Sequence, residues 1–396
     1  MISRFTTLRR IPSGVWVVGG VSLLMDVSSE MIHSLLPLFM ATTLGASVVV
    51  IGLIEGLAEA TALMVKVFFG VMSDWLGKRK GLALLGYGLG ALSKPLFAIA
   101  TTSGMILTAR LTDRLGKGIR GAPRDALVAD VTPPELRGAA YGLRQSLDTL
   151  GAFLGPLLAV GLMFLWHNDF RAIFWVAVIP GVMAVALLFF GLREPRASVA
   201  QQRTNPINRA SLRRLGNATW WAIALGGIFT LARFSEAFLV LKALEVDIPL
   251  ALIPLVMVAM NLLYSVTAYP FGKLSDRMSH SQLLQWGLVV LILADSVLAF
   301  STHWAGVVVG VALWGIHMGM TQGLMAAMIA AASPADLRGT AFGMFSLVSG
   351  VALLLASSGA GILWAFSGSA STFIAGAVIS LVTLLWLRIM PVRNAG

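Results

Sequence analysis

The chain has no cysteine among its 396 residues. That excludes disulfides and thiolate metal sites, and it leaves the redox compartment open. Charge is scarce too. Asp, Glu, Lys and Arg make up 12% of the residues, against about 25% in a soluble globular protein. No stretch is polar and long enough for a soluble domain. There is no Walker-type phosphate loop, so ATP does not drive the protein directly. There is no G-x-S-x-G or H-E-x-x-H, which speaks against a membrane hydrolase. The chain reads as a non-enzyme with no cofactor.

Apolar residues fill the space that charge leaves. They make up 57% of the chain, and the mean hydropathy is +0.85. Such a surface needs lipid to cover it, so the expected class is all-α and polytopic. Roughly 20 apolar residues cross a bilayer as a helix. Twelve candidates follow, at about 14–38, 46–69, 81–101, 105–129, 138–163, 172–192, 217–241, 249–271, 282–301, 304–330, 340–364 and 370–390. The fourth is the least apolar. MISRFTTLRR before the first run resembles a signal sequence, but Asp26 interrupts that run, and it reads as a retained first helix.

The net charge of +11 is not gathered into a basic domain, so nucleic acid is not an expected partner. An even number of spans puts both termini on one side. The tails, KRK at 78–80, the polar linker 193–216, GKLSDR at 272–277 and the two LRG turns share that side and hold most of the Lys and Arg. The opposite loops hold Arg171 and Lys242. This asymmetry places the termini and linker in the cytoplasm.

The two halves repeat. PPELRGAAYGL (133–143) matches PADLRGTAFGM (334–344), and GVMSDWLGKRK (70–80) matches GKLSDRMSHSQ (272–282). The matched segments lie on the same side, so the repeat is parallel, about an axis along the membrane normal. The expected domains are a six-helix bundle over 1–192, a linker over 193–216 and a second bundle over 217–396. Paired bundles of this kind hold substrate between them near the midplane and work by rocking.

Ionisable residues inside the spans are costly and therefore informative. In the first helix Asp26, Ser29, Glu30, His33 and Pro37 form one helical stripe. The fourth span, RLTDRLGKGIRGAPRDAL (110–127), places Arg110, Asp113, Arg114, Lys117, Gly121 and Arg124 on one face. Glu55, Glu59, Lys66, Lys94, Arg144 and Asp148 add charges of both signs, and the near balance favours packing and pairing for these six. Asp26, Glu30 and Arg114 are the residues expected to serve transport. A divalent cation on Asp26, Glu30 and His33 is the weaker reading, because Asp26 and His33 are two turns apart, roughly 10 Å. A metal site would need Glu59, Glu236 or His317 as well.

The loop after the second span carries Gly70, Asp74, Gly77, Lys78 and Arg79, with a second copy at Gly272, Asp276 and Arg277. Together with the twelve spans and the duplication, this resembles the major facilitator superfamily over essentially the whole chain. The pattern departs from the family's at Trp75, where a basic residue is usual, and at Ser279, which replaces the second glycine. The resemblance implies several things. These loop residues, with Arg137 and Arg338 of the LRG turns, would gate the cytoplasmic side, the glycines permitting close helix approach. Gly151, Gly155 and Pro156 form a G-x-x-x-G-P run that looks like the motif of antiporter branches. Arg114 aligns loosely with a helix-4 arginine linked to proton transfer, although Arg120 stands where a small residue is usual. Helices 1, 4, 7 and 10 would line a substrate cavity through Ser29, His33, Lys117, Arg233, Phe234, Glu236, Trp314 and His317.

The resulting expectation is a secondary transporter of a bacterial cytoplasmic (inner) membrane, both termini cytoplasmic, working as a monomer. It would couple protons, through Asp26, Glu30 and Arg114, to export of a small organic compound. The open alternatives are a divalent-metal or metallophore carrier, an importer of an organic anion, and a non-transporting membrane sensor.

Overall fold

The structure is a computed structural model that describes residues 10–76, 79–192, 212, 214–246, 248–275, 278–321, 323–334 and 337–389. Gly77, Lys78, Asp276 and Arg277 lie outside the described residues, as do the Asp74 side chain and most of the linker. Every regular element among the described residues is helical. The helices are α1 (Ser13–His33), α2 (Val48–Leu76), α3 (Arg79–Ile99), α4 (Ser103–Asp130), α5 (Arg137–Leu165), α6 (Phe170–Gly191), α7a (Asn217–Leu231), α7b (Ala237–Glu245), α8 (Leu255–Ser275), α9 (His280–Phe300), α10a (Trp304–Thr321), α10b (Leu324–Ala332), α11 (Arg338–Ser367) and α12 (Ser369–Ile389). A short helix, Leu36–Leu38, and a π-helical turn, Phe39–Thr43, prolong α1.

Among the described residues, ten helical segments are long and apolar enough to cross a membrane. Two expected spans fall outside that set, each for a physical reason. The charges of α4 exceed what a hydropathy window tolerates. The seventh span is not continuous as the sequence suggested: it unwinds over residues 232–236. Ser235 explains the break. Its hydroxyl accepts from Ala237 N at 3.3 Å, and its own N–H donates to Ser357 Oγ at 3.1 Å. A serine that satisfies local backbone groups competes with the helical ladder. The tenth span also breaks, at Gly323, whose φ of +75° lies in the left-handed region that glycine tolerates.

The described chain divides into two compact units, one from 1–36 and 61–204, the other from 37–60 and 205–396. In the first, α1, α3, α4 and α6 share a core that includes Val18, Met25, Tyr87, Leu127 and Leu188. In the second, Leu225, Phe229, Leu288, Met325 and Leu387 form the counterpart. Large apolar side chains also point outward: Phe366 is 84% exposed and Phe190 82%. Such a surface suits hydrocarbon rather than water. With lipid outside, burial alone does not hold helices together, and close backbone packing must contribute. Glycines supply it. A Cβ on Gly86 of α3 would lie 2.7 Å from Arg120 N and from Gly116 O of α4.

Candidate functional site: two polar clusters

The close approach of α3 and α4 builds the first cluster. Lys94 Nζ of α3 meets Asp113 Oδ1 of α4 at 2.6 Å and donates to Ser29 Oγ of α1 at 2.9 Å. Ser93 Oγ donates to the same Asp113 oxygen at 3.4 Å. The other carboxylate oxygen lies 3.5 Å from His33 Nε2 and 3.4 Å from Arg114 Nε. Arg114 Nη2 stands 2.9 Å from both ring nitrogens of His33, whose Nδ1 is 3.6 Å from Glu30 Oε1. Asp113 is thus the hub of a buried network over three helices. Ser29 and His33, expected to face substrate, are tied into it. Lys117 is exposed.

The G-x-x-x-G-P run positions the acids of α1. A Cβ on Gly151 would lie 2.9 Å from Asp26 Cβ, and one on Gly155 2.7 Å from Glu30 Cβ. Only glycine lets α5 reach α1 at these turns. Asp26 itself makes no hydrogen bond or ion pair among the described residues. Four charges act on it from a distance: Asp148, Arg120, Lys117 and Arg124. Asp148, by contrast, pairs with Arg144 at 2.8 Å and Arg124 at 3.6 Å.

Gly70 and Gly272 differ from the expectation of close helix approach. Among the described residues, the nearest atom to a Cβ on Gly70 would be Ala122 Cβ at 3.6 Å, an ordinary contact, and nothing lies within 4 Å of one on Gly272. None of the described neighbours requires glycine at either position. Arg79 pairs with Asp130 and donates to Ala126 O at 3.3 Å. Arg137 is exposed. Arg338 Nε donates to Ala330 O at 3.3 Å.

The second cluster is aromatic and lies wholly in the second unit. Phe234, in the break of α7, sits 6.0 Å from the Trp314 ring. The Arg233 guanidinium lies 5.5 Å from the Phe229 ring and 6.0 Å from Trp314. His317 lies 5.8 Å from Phe229 and donates through Nδ1 to Gly287 O at 2.8 Å. The geometry brings Arg233, Phe234, Trp314 and His317 together, with Trp314 and His317 fully buried. Glu236 is partly exposed at the start of α7b. Asp295 of α9 was missed. It is fully buried, accepts from Trp314 Nε1 at 2.9 Å and has no partner for Oδ2 among the described residues. The signal was present: Asp295 is the single charged residue between 282 and 301.

Comparison with known proteins agrees with this architecture. The sequence model of the Major Facilitator Superfamily matches residues 18–241 and again 222–396. An uncharacterized MFS-type transporter of Methanocaldococcus jannaschii is 33% identical over 96% of this chain and 95% of its own length. The inner membrane transport protein YajR of Escherichia coli is 24% identical, over 94% of this chain and 82% of YajR. The multidrug resistance protein MdtH of Yersinia enterocolitica is 25% identical, over 71% of this chain and 69% of MdtH. Among solved structures, a POT family transporter superposes with a TM-score of 0.79 at 14% identity, over 97% of each chain. The nucleoside transporter NupG gives 0.77 at 13% identity, over 95% of this chain and 98% of NupG. These two likenesses speak to fold alone. Spans, duplication and a family match across both halves lead to one conclusion: the chain belongs to the Major Facilitator Superfamily, as a multi-pass secondary transporter and not an enzyme.

Proposed function

We propose that the protein exports a small organic compound in exchange for protons, by alternating access of its two six-helix halves, 1–192 and 217–396. The observation that carries this is the state of Asp26. It is an acid on a membrane helix, placed by Gly151 next to α5, surrounded by charges and paired with none among the described residues. Such a group gains or loses a proton without first breaking an ion pair, and its neighbours' charges make that exchange responsive to their positions. Glu30, one turn on, is linked through His33 to Arg114, so a change at either reaches the other. Asp113 and Asp148, held by cations, serve as fixed scaffolding. The multidrug resistance name of the MdtH relative supports efflux. Gly70, Asp74, Gly77, Lys78, Arg79, Gly272, Asp276, Arg277, Arg137 and Arg338 act at the cytoplasmic gate, with both termini on that side, and the unit of transport is a monomer.

A metal or metallophore carrier is the weaker reading. The cations Lys94 and Arg114 flank Asp113 and His33 and would repel a divalent ion placed there.

The test uses proteoliposomes loaded with a pH-sensitive dye and challenged with anionic, neutral and cationic drug-like compounds, compared with protein-free vesicles. Wild-type protein should move protons in response to at least one compound, and Asp26→Asn should abolish that response. Proton movement unchanged in Asp26→Asn would remove Asp26 from the mechanism.

A further inference from the structure

The break in α7 leaves Arg233 in an unusual position. The residue is only partly exposed, and its buried Nε has no hydrogen-bond partner among the described residues. Among the described residues the guanidinium caps no carbonyl and forms no ion pair. Its company is aromatic: Phe229 on one side and Trp314 on another. Cation–π contact offsets only part of what removing a cation from water costs. A purely structural arginine in a membrane helix pairs with a carboxylate or backbone carbonyls, or extends to the interface. Arg233 has neither kind of partner among the described residues, and its fork of N–H donors stays open.

The surroundings repeat the pattern. His317 spends Nδ1 on Gly287 O, and its buried Nε2 has no partner among the described residues. Its ring lies 6.3 Å from the same Trp314 that Arg233 faces. Trp314 is held in place by the hydrogen bond from its Nε1 to Asp295. The charged or polar groups whose fields reach Arg233 are Glu236, at the end of the break, and Tyr264 of α8. The result is a cation in the break of α7 and an imidazole nitrogen of α10a, unpartnered among the described residues, both beside buried aromatic rings.

We propose that Arg233 is the anion-binding group of a subsite for small arylcarboxylates, with Phe229 and Trp314 as the aromatic surface and His317 as a second polar contact. A guanidinium fork matches a carboxylate through two parallel hydrogen bonds, which a lysine cannot reproduce. Aromatic rings beside it accept the apolar body of the ligand by offset or edge contact. The carboxylate supplies the directly bonded counter-charge that Arg233 lacks among the described residues. This inference rests on the transporter reading and gives its substrate class.

Equilibrium binding to the full-length protein in lipid nanodiscs tests it, with tritiated naphthoate as the probe. Unlabelled naphthoate, naphthamide and naphthylmethylammonium compete, three ligands of one shape and different charge. Wild-type protein should bind naphthoate saturably and prefer it to the amide, and the amide to the ammonium. Arg233→Gln should weaken naphthoate roughly tenfold or more, as expected when a charge-assisted hydrogen bond is lost. It should affect the amide much less. Arg233→Lys should fall between, keeping the charge without the fork. The proposal is overturned if naphthoate shows no saturable binding, if the ammonium competes as well as naphthoate, or if both Arg233 variants bind naphthoate like wild type. Should Arg233→Gln fail to fold, the wild-type charge preference and Arg233→Lys decide the matter. Binding at equilibrium needs no proton coupling, so failure here is separate from failure of the Asp26 test.

Discussion

The two units bury charge in opposite ways. In the first, α1, α3 and α4 hold a network of opposite charges in which Lys94, Asp113, His33 and Arg114 compensate one another. In the second, three polar side chains are set among aromatic rings instead: Asp295 on Trp314, Arg233 on Phe229 and Trp314, His317 beside both. The halves share a duplicated plan, visible in the LRG turns and the SD-containing loops. A duplicated scaffold therefore fixes where helices run without fixing what they carry. Around Asp113 the first unit pairs its charges with one another. In the second, Arg233 has aromatic neighbours and no ion pair among the described residues.

The largest effect should come from neutralising the two buried acids in turn. Asp113→Asn leaves Lys94 and Arg114 near a neutral amide and should cost about 3–5 kcal/mol, as for other broken buried pairs. Asp295→Asn keeps an oxygen for Trp314 Nε1 and should cost less than about 1 kcal/mol. Thermal unfolding of the purified variants in detergent reads both. Equal losses would erase the contrast between the units.

A smaller effect is expected where α5 meets α1. Gly155→Ala places a methyl group 2.7 Å from Glu30 Cβ and 2.9 Å from Val27 O and should cost about 1–3 kcal/mol by overpacking. Gly161→Ala on the same helix meets nothing within 4 Å. Its unfolding midpoint should match wild type or rise slightly, since alanine favours a helix by about 1 kcal/mol. A similar loss in both would mean that α5 tolerates no substitution, whatever its neighbours.

Comparable to that is Asp295→Ala, which strands Trp314 Nε1 in a buried site and should cost about 1–3 kcal/mol. Comparing it with Asp295→Asn separates the hydrogen-bond role of the carboxylate from its charge. The smallest effect should be at the loop glycines. Gly272→Ala should leave stability unchanged within about 1 kcal/mol, because nothing among the described residues stands within 4 Å of the new methyl. Flux through the variant then reports on the gate alone. A fall in flux at constant unfolding midpoint would show that this glycine is needed in another conformation.

Much of the scaffold was readable from order and composition. The helix expected over 138–163 is Arg137–Leu165, and that expected over 172–192 is Phe170–Gly191. Long apolar runs leave a chain in lipid little choice but to satisfy its backbone internally. The break in α7 was not read, because RFSE sits inside a run that is apolar on both sides. One bond that holds the unwound backbone comes from Ser357, more than a hundred residues away. Likewise, the fourth span was recognised as polar, but nothing in its periodicity singled out Asp113 as a hub over Asp26 as an unpaired acid.

The sequence by itself determined the class, the duplication, the helix positions and the pool of charged residues available within the membrane. These follow from local properties: hydropathy, residue spacing and the placement of basic loops. Only the tertiary structure decided which charges meet. Gly86 and Gly116 let α3 and α4 touch, so that Lys94 reaches Asp113, and Gly151 brings α5 to Asp26 without giving it a partner. Pairing depends on distances of a few ångströms between residues far apart in the chain, and helix-to-helix approach sets those distances.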